Sequence, residues 1–401
     1  MPGRVFCTMA MEMEASARAP ARRRRAGPPL SMIVRFLAVG LTILGSVHFY
    51  FWWRLVHDTA MPEPFSAAVT LGLVALAASI PAAFALRGEK SVIVSAAFVW
   101  MGSLFLLLAS LVATDVLRTA LHAAGQAAMP RAFEGGAALF AASLVGVGLV
   151  NARRLGVKEA QVSLERLPAS LDGLVVAQIT DLHIGSTIGR AMVEEVVAQA
   201  NALKPDLIVI TGDLADGDPR ALADAAAPLG KLSAKHGVWF VTGNHEYFGD
   251  VEGWLSLLRS LGIRPLRNER VSIGDGAASF DLAGIDDTVG RWTPGHGPDL
   301  PKALAGRDES RELVLLAHRP TVVREAAKSN VGLVISGHTH GGQIWPFHYL
   351  VKLDQPWLAG LHRVGERTQL YVSEGTGWWG PPMRLGTTRE VTKLVLRARP
   401  A

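Results

Sequence analysis

The sequence SGHTHGGQ, at residues 336–343, follows the apolar run VGLVI at residues 331–335. This run is rich in β-branched residues and leads into glycine, which predicts a short buried strand followed by a loop. His338 and His340 then lie at a strand end, where the glycines beside them leave room for both imidazoles to turn toward one point. The segment therefore predicts a site for one metal ion or a pair, although on its own it is equally typical of a polar surface loop.

Four other apolar runs end abruptly in residues of the same chemical kind. They are residues 174–180 before Asp181 and His183, residues 207–211 before Asp213, residues 238–242 before Asn244 and His245, and residues 313–317 before His318. Five strands that carry carboxylate, amide and imidazole groups at their carboxyl ends predict a site along one edge of a sheet.

The motif order DxH, GD, GNH[DE], H and GHxH resembles that of the calcineurin-like metallophosphoesterase superfamily, over about residues 160–398. The phrases GHTHGGQ and SEGTGWWGPPMRLG resemble more narrowly its YkuE/YaeI-type membrane-associated branch. The resemblance implies an α/β layered fold in which two central β-sheets are flanked by helices. One departure is Glu374, where many relatives carry a basic residue.

The resemblance also implies a dinuclear centre that binds two divalent metal ions. Asp181, His183, Asp213 and His340 would hold one ion, and Asp213, Asn244, His318 and His338 would hold the other, so that Asp213 bridges them. Oxygen and imidazole donors without thiolates suit Mn, Fe or Zn. The single cysteine, Cys7, excludes a zinc site built on several cysteines. Two such ions can clamp a phosphate ester and activate a water molecule.

Two further side chains are candidates for contact with the substrate. His245 would hydrogen-bond a phosphoryl oxygen and protonate the leaving group, a role that suits imidazole near neutral pH; the alternative is a structural histidine under the loop. Arg384 is a candidate phosphate contact because guanidinium pairs bidentately with phosphate; the alternative is a solvated surface arginine. The loop aromatics are expected either to pack in the interior or to form an apolar rim: Trp292, Trp345, Phe347, Trp378 and Trp379.

Hydrophobic residues make up 49% of the 401 residues and are concentrated before residue 150. Four runs are close to the length of about 20 residues that a membrane-spanning helix needs. They are residues 36–53, 65–86, 91–113 and 133–150. Buried helices of a globular domain would need polar faces that these runs lack, so we expect an all-α bundle of about four transmembrane helices over residues 32–152. Residues 1–31 are expected to be a disordered basic leader, or alternatively the start of a signal peptide.

Lysine and arginine are distributed unevenly around the four predicted spans. If the N-terminus is inside, eleven lie in the inner segments and three outside; the inner ones are Arg18, Arg22, Arg23, Arg24, Arg25, Arg35, Arg87, Lys90, Arg153, Arg154 and Lys158, and the outer ones are Arg54, Arg118 and Arg131. This asymmetry predicts that both ends face the cytoplasm. A charged hinge is expected at residues 153–160, followed by the metallophosphoesterase domain at residues 161–401.

Together these patterns predict a membrane-tethered phosphohydrolase of a phosphomonoester, phosphodiester or pyrophosphate bond in the cell (inner) membrane. A hinge of about ten residues reaches at most about 35 Å, which would keep the site near the lipid headgroups and favours a lipid-linked substrate over a soluble ester. The alternative is a non-catalytic membrane sensor or scaffold that binds a phosphorylated ligand. Transport is disfavoured, because the spans hold almost no ionisable residues. No nucleic acid partner is expected, because the formal net charge of +5 comes largely from one arginine cluster.

Overall fold

The computed structural model describes residues 30–86, 91–126, 130–276 and 278–399, and it begins with four long helices. These are α1 (Leu30–Trp52), α2 (Phe65–Ala85), α3 (Val92–Ala123) and α4 (Pro130–Ala152). A π-helical turn, Trp53–His57, extends α1. All four are long and apolar enough to cross a membrane, by length and composition. The four predicted apolar helices are therefore confirmed, with α3 continuing beyond its predicted end at residue 113. The predicted leader lies outside the described residues, apart from its last two, which belong to α1.

Charged side chains near one end of these helices form an arginine–carboxylate cluster. Glu134 of α4 is 1% exposed and lies 2.7 Å from Arg54 and 2.9 Å from Arg118. Arg54 also forms ion pairs with Asp58 and Asp115. Charges that are removed from water need partners of opposite sign. The cluster therefore ties the end of α1 to α3 and α4.

Two six-stranded sheets follow α4 and pack face to face. The first has the order β1-β12-β2-β3-β4-β5 and the second β10-β11-β9-β8-β7-β6. The strands are β1 (Leu155–Leu164), β2 (Val175–Ile179), β3 (Leu207–Ile210), β4 (Val238–Phe240), β5 (Arg264–Pro265), β6 (Glu269–Asp275), β7 (Ala278–Gly284), β8 (Leu313–Leu316), β9 (Leu333–Ser336), β10 (Gly360–Val364), β11 (Thr368–Val372) and β12 (Arg389–Ala398). Apolar side chains from the inner faces of both sheets, among them Val176, Val209, Leu282 and Val314, form one buried core.

Short helices cover the outer faces of the two sheets. They are α5 (Arg190–Ala202), α6 (Pro219–Ala226), α7 (Val251–Ser260), α8 (Leu300–Leu304), α9 (Val323–Ala326) and α10 (His348–Asp354). The helices α5, α6 and α7 pack on the first sheet, and α8 and α9 pack on the second. Two sheets flanked by helices, preceded by four apolar helices, confirm the predicted fold class.

The prediction of a hinge at residues 153–160 is wrong, because most of this segment belongs to β1. The strand pairs in parallel with β12 along its whole length, from Leu155 opposite Arg389 to Leu164 opposite Ala398. Its side chains are mostly exposed because β1 is an edge strand, which is where charged residues are tolerated in a sheet. We therefore propose that the second domain begins at Leu155, directly after α4, and that no flexible tether separates the two.

The loop at residues 378–385 fixes the second domain against the membrane helices. Met383 is fully buried between α3 and α4, and a Cβ atom on Gly102 would lie 2.7 Å from its Sδ. The backbone N–H of Arg384 donates a hydrogen bond to the carbonyl of Gly148 at 2.9 Å. Because these two glycines lack side chains, the loop can enter the helix bundle.

Replacing Glu134 with alanine should destabilise the helix bundle, because it leaves Arg54 and Arg118 without their shared buried carboxylate. Removing one partner of a buried ion pair typically costs about 3–5 kcal/mol. We expect a lower midpoint of thermal unfolding for the purified chain in detergent, measured by circular dichroism. Glu63→Ala, which removes an exposed carboxylate, is the matched control and should unfold like the wild type. Equal midpoints for both variants would contradict the assigned role of the cluster.

Candidate metal centre

Five strands from the two sheets end at one cleft, where they bring the predicted ligands together. Asp181 and His183 follow β2, Asp213 follows β3, Asn244 and His245 follow β4, His318 follows β8, and His338 and His340 follow β9. The strands β2, β3 and β4 are parallel to one another, as are β8 and β9, so their carboxyl ends lie side by side within each sheet.

One group of potential ligand atoms comes from Asp181, His183 and His340. These atoms all lie within 4.8 Å of one another. His183 Nε2 is 3.1 Å from His340 Nε2, and His340 Nε2 is 3.6 Å from Asp181 Oδ1. All three side chains are buried. This group can hold one cation.

A second group comes from Asp213, His318 and His338, again within 4.8 Å. His318 Nε2 lies 3.1 Å from Asp213 Oδ2 and 3.1 Å from His338 Nδ1. Asn244 belongs to the loop after β4, and its buried Oδ1 has no hydrogen-bond partner. A buried carboxamide oxygen without a donor is destabilising unless a cation or water satisfies it. Asp213 also groups with His183 and His245, so it lies between the two sites.

Five of the predicted ligands have a left-handed backbone conformation. The φ angles are 52° at Asp181, 52° at His183, 50° at Asp213, 73° at His338 and 51° at His340. Positive φ is uncommon for residues other than glycine, and such residues concentrate at functional sites because the surrounding structure must hold them there. The fold therefore holds these five residues in an unfavourable backbone conformation, and their side chains converge on one cleft.

Burial and charge together determine the protonation of these groups. Burial alone would raise the pKa of Asp213, but His318 and His245 outweigh it and hold that pKa well below the usual range. Burial, reinforced by neighbouring cationic groups, lowers the pKa of both His338 and His340. Neutral imidazoles offer a free lone pair, which is the form that binds a metal ion.

Asp216 was missed by the sequence analysis, yet it joins two histidines of the site. Its Oδ1 lies 2.6 Å from His245 Nδ1 and 3.0 Å from His183 Nδ1. A carboxylate that accepts an imidazole N–H fixes the ring and leaves the other nitrogen available. Burial opposes protonation of His245, but Asp213 and Asp216 prevail and raise its pKa to about 9. The available signal was the second acidic residue of the DLAD sequence after β3.

Glu246 is the last residue of the GNH[DE] motif, to which the sequence alone assigned no role. In the structure it joins two loops of the site. Its buried carboxylate accepts hydrogen bonds from the backbone N–H groups of Asp213, Leu214 and Gly243 at 2.6–3.1 Å. These bonds join the loop after β3 to the loop after β4. Glu246 thereby holds Asp213 in place relative to Asn244.

The structure contradicts the prediction that Arg384 contacts phosphate, and it equally contradicts the solvated alternative. The side chain is fully buried. Its Nη1 donates to the carbonyls of His340 at 2.9 Å and Glu374 at 2.7 Å, and its Nη2 donates to the carbonyl of Gly377 at 2.5 Å. Arg384 therefore ties the loop that carries His340 to residues 374–377, and its Nη2 also lies 3.3 Å from His340 Nδ1.

The loop aromatics divide into one buried residue and four half-exposed ones. Trp378 is buried and donates from Nε1 to Thr187 Oγ1 at 3.0 Å. Trp379 is 41% exposed and separates two cavities of about 250 and 320 Å³ that reach the histidines. Trp292, Trp345 and Phe347 are also partly exposed. Of the half-exposed four, Trp379 and Phe347 line a cavity that reaches the histidines, so a rim of all four stays a prediction.

Comparison with known proteins agrees with this geometry. The family model of calcineurin-like phosphoesterases matches residues 174–342. A "transmembrane protein with metallophosphoesterase domain" of Bos taurus is 44% identical over 267 residues, which cover 63% of this chain and 60% of that relative. This chain thus matches less than two thirds of the length of that relative.

Two bacterial relatives are matched over most of their length. An uncharacterized metallophosphoesterase of Aquifex aeolicus is 33% identical over 61% of this chain and 93% of its own length. The uncharacterized metallophosphoesterase YkuE of Bacillus subtilis is 30% identical over 58% of this chain and 82% of its own length. The two facing sheets, the order of the motifs and these matches all agree. The chain therefore belongs to the calcineurin-like metallophosphoesterase family of metal-dependent phosphohydrolases, as the motifs predicted.

Proposed function

We propose that the chain hydrolyses phosphate esters at a dinuclear metal centre. The observation that carries this proposal is the position of Asp213 between two groups of ligand atoms, one with His183 and the other with His318 and His338. We propose the ligand sets implied by the family pattern: Asp181, His183, Asp213 and His340 for one ion, and Asp213, Asn244, His318 and His338 for the other.

The residues fit divalent ions of the Mn, Fe or Zn type. Carboxylate, carboxamide and imidazole donors without thiolate suit these borderline ions, and the orphaned Oδ1 of Asn244 gains a partner when one binds. When bound, two such ions polarise phosphoryl oxygens and lower the pKa of water. His318 donates from Nδ1 to the carbonyl of Thr211 at 2.8 Å, which directs its Nε2 to the centre.

Hydrolysis forms one phosphorus–oxygen bond to the oxygen of water and breaks the bond to the leaving oxygen. The leaving oxygen must then take up a proton. His245 can supply it, because Asp213 and Asp216, acting against burial, raise its pKa and so favour the protonated imidazole. Asp216 holds the ring through Nδ1, and Nε2 lies 3.8 Å from Asp213 Oδ2, on the side of the ligand groups.

We further propose that the chain is membrane-tethered, that its centre faces the cytoplasm and that its substrate is lipid-linked. The lysine and arginine asymmetry supports the orientation. Both cavities that reach the histidines are also bounded by apolar residues of the long helices, Phe84 and Phe98 in one and Met101 and Phe105 in the other, which supports a substrate with an apolar part. A substrate in the membrane would reach this centre without leaving the apolar helices.

Substitution of the ligands should separate metal binding from proton transfer. Asp213→Asn and His338→Ala should each lower bound metal and abolish hydrolysis, since each removes a ligand. His245→Ala should keep nearly all bound metal and lower turnover by roughly 10²- to 10⁴-fold. The measurements are metal content by mass spectrometry and hydrolysis of p-nitrophenyl phosphate and bis(p-nitrophenyl) phosphate by the full chain in detergent with Mn²⁺, Fe²⁺ or Zn²⁺.

The matched control is His362→Ala, because His362 lies on β10 and hydrogen-bonds only to the carbonyl of Ala359 among the described contacts. This variant should behave like the wild type in both assays. Equal metal loss in His245→Ala and His338→Ala would show that His245 is a ligand rather than a proton donor. Full activity in Asp213→Asn would overturn the dinuclear proposal.

The orientation can be tested with reporters fused after residue 401. A fluorescent protein that folds only in the cytoplasm should fluoresce, and an alkaline phosphatase that requires the outer side should stay inactive, because an even number of spans returns the chain to the inner side. The reverse pattern would refute the cytoplasmic placement while leaving the chemistry of the centre unaffected.

A further inference from the structure

We infer that the membrane helix α3 forms part of the substrate site, and that the cavity between α3 and α10 binds the hydrocarbon chain of the substrate. The inference rests on the proposed function, because the phosphate end of that substrate must lie at the metal centre. It adds the place where the apolar part binds and the residues that select for it.

The cavity has a volume of about 320 Å³ and connects the metal centre to the helix bundle. His338 and His340 form one end. Met101 and Phe105 of α3 line it, together with Phe347 and Val351. This volume lies at the lower end of the range of about 300–1,000 Å³ for small-molecule sites. An occupant therefore touches the centre with one end and membrane-helix residues with the other.

Away from the histidines, the polar groups that line the cavity are already paired. Gln343 donates from Nε2 to the carbonyls of Trp379 and Pro381, and its Oε1 accepts from the N–H of Trp379. Thr339 donates from Oγ1 to the carbonyl of Leu358. A sugar or base in this cavity would lose its hydrogen bonds to water without replacement, which is costly. The walls therefore select a hydrocarbon chain.

The helix α10 gives this cavity a route from the bilayer. Tyr349, Leu350 and Leu353 of α10 are exposed, Leu353 to 85%. Phe347, next to the start of α10, makes an edge-to-face ring contact with Phe105 of α3 at a centroid distance of 5.4 Å. Because α3 is long and apolar enough to span a membrane, α10 lies beside a membrane helix with its large apolar side chains outward. Such a surface is typical of contact with lipid.

The metal centre lies beside both α3 and α10, so a single molecule can occupy the centre and the cavity at the same time. If the two ligand groups hold the phosphate, the apolar cavity lies next to it, on the side of His338 and His340. The cavity on the other side of Trp379 carries the polar residues Asp216 and Asp218. A phosphate ester with a single hydrocarbon chain, such as an acyl or isoprenoid chain, fits the apolar side.

The first experiment measures kcat/KM for alkyl phosphates and alkyl p-nitrophenyl phosphates of increasing chain length, at fixed detergent, with the full chain and Mn²⁺. Each methylene that enters the cavity should raise kcat/KM about fourfold. Val351→Trp should fill the cavity and remove this dependence on chain length. Leu353→Trp, on the same helix but outside the cavity, is the matched control and should keep the chain-length dependence.

The second experiment does not require activity. An alkyl phosphate with a diazirine at its chain end is photolysed with the full chain, and labelled peptides are mapped by mass spectrometry. We expect labels on α3 around Met101 and Phe105 and on α10 around Val351, and we expect Val351→Trp to lose them. Label only on outward-facing residues such as Leu71 and Val74 of α2 would overturn the inference. Equal labelling by the matching alcohol without phosphate would assign the cavity to bilayer lipid and would also overturn it.

These outcomes separate the inference from the proposed function. Hydrolysis of short esters without chain-length dependence refutes the cavity and leaves the phosphohydrolase intact. Specific labelling of α3 and α10 without hydrolysis of any ester supports the cavity and refutes the proposed activity.

Discussion

Two carboxylates buried among histidines, those of Asp181 and Asp213, are the constraint on which the arrangement of the second domain depends. A charge removed from water must be met by donors and opposite charge, and here these come from strand ends in both sheets. The surrounding backbone must also come very close. A Cβ atom on Gly243 would collide with Asp213, and one on Gly337 would collide with Asp181. The glycines of the GNH and GHxH motifs are therefore required by the position of the carboxylates.

The features that the sequence predicts well are those encoded locally. Each apolar run that ends in Asp, Asn or His did form a strand or its end, and parallel neighbours brought these residues to one cleft. The membrane helices were equally visible, because about twenty apolar residues leave a clear pattern. Helix lengths were less predictable, because α3 continues to Ala123, ten residues beyond its predicted end at residue 113.

What could not be predicted depends on partners distant in the sequence. Four of the eight residues at 153–160 are charged, which is typical of a linker, and only the pairing of β1 with β12 makes most of this segment a strand. Arg384 lies in a glycine- and proline-rich segment typical of a surface loop, but the carbonyls of His340, Glu374 and Gly377 surround it in the fold. Asp216 gains its role from two histidines that reach it from different loops. Tertiary contact, rather than local pattern, decides all three.

The strand order of the first sheet has a consequence for how the protein is made. β12, the last strand of the described chain, lies between β1 and β2, the first two. During synthesis β1 emerges long before residues 389–398, so it has no neighbour on that side until those residues have been translated. An unpaired strand edge invites association with other chains, and charged side chains discourage it. The lysine and glutamate at positions 158 and 159, which make β1 resemble a linker, suit a strand that waits in this way.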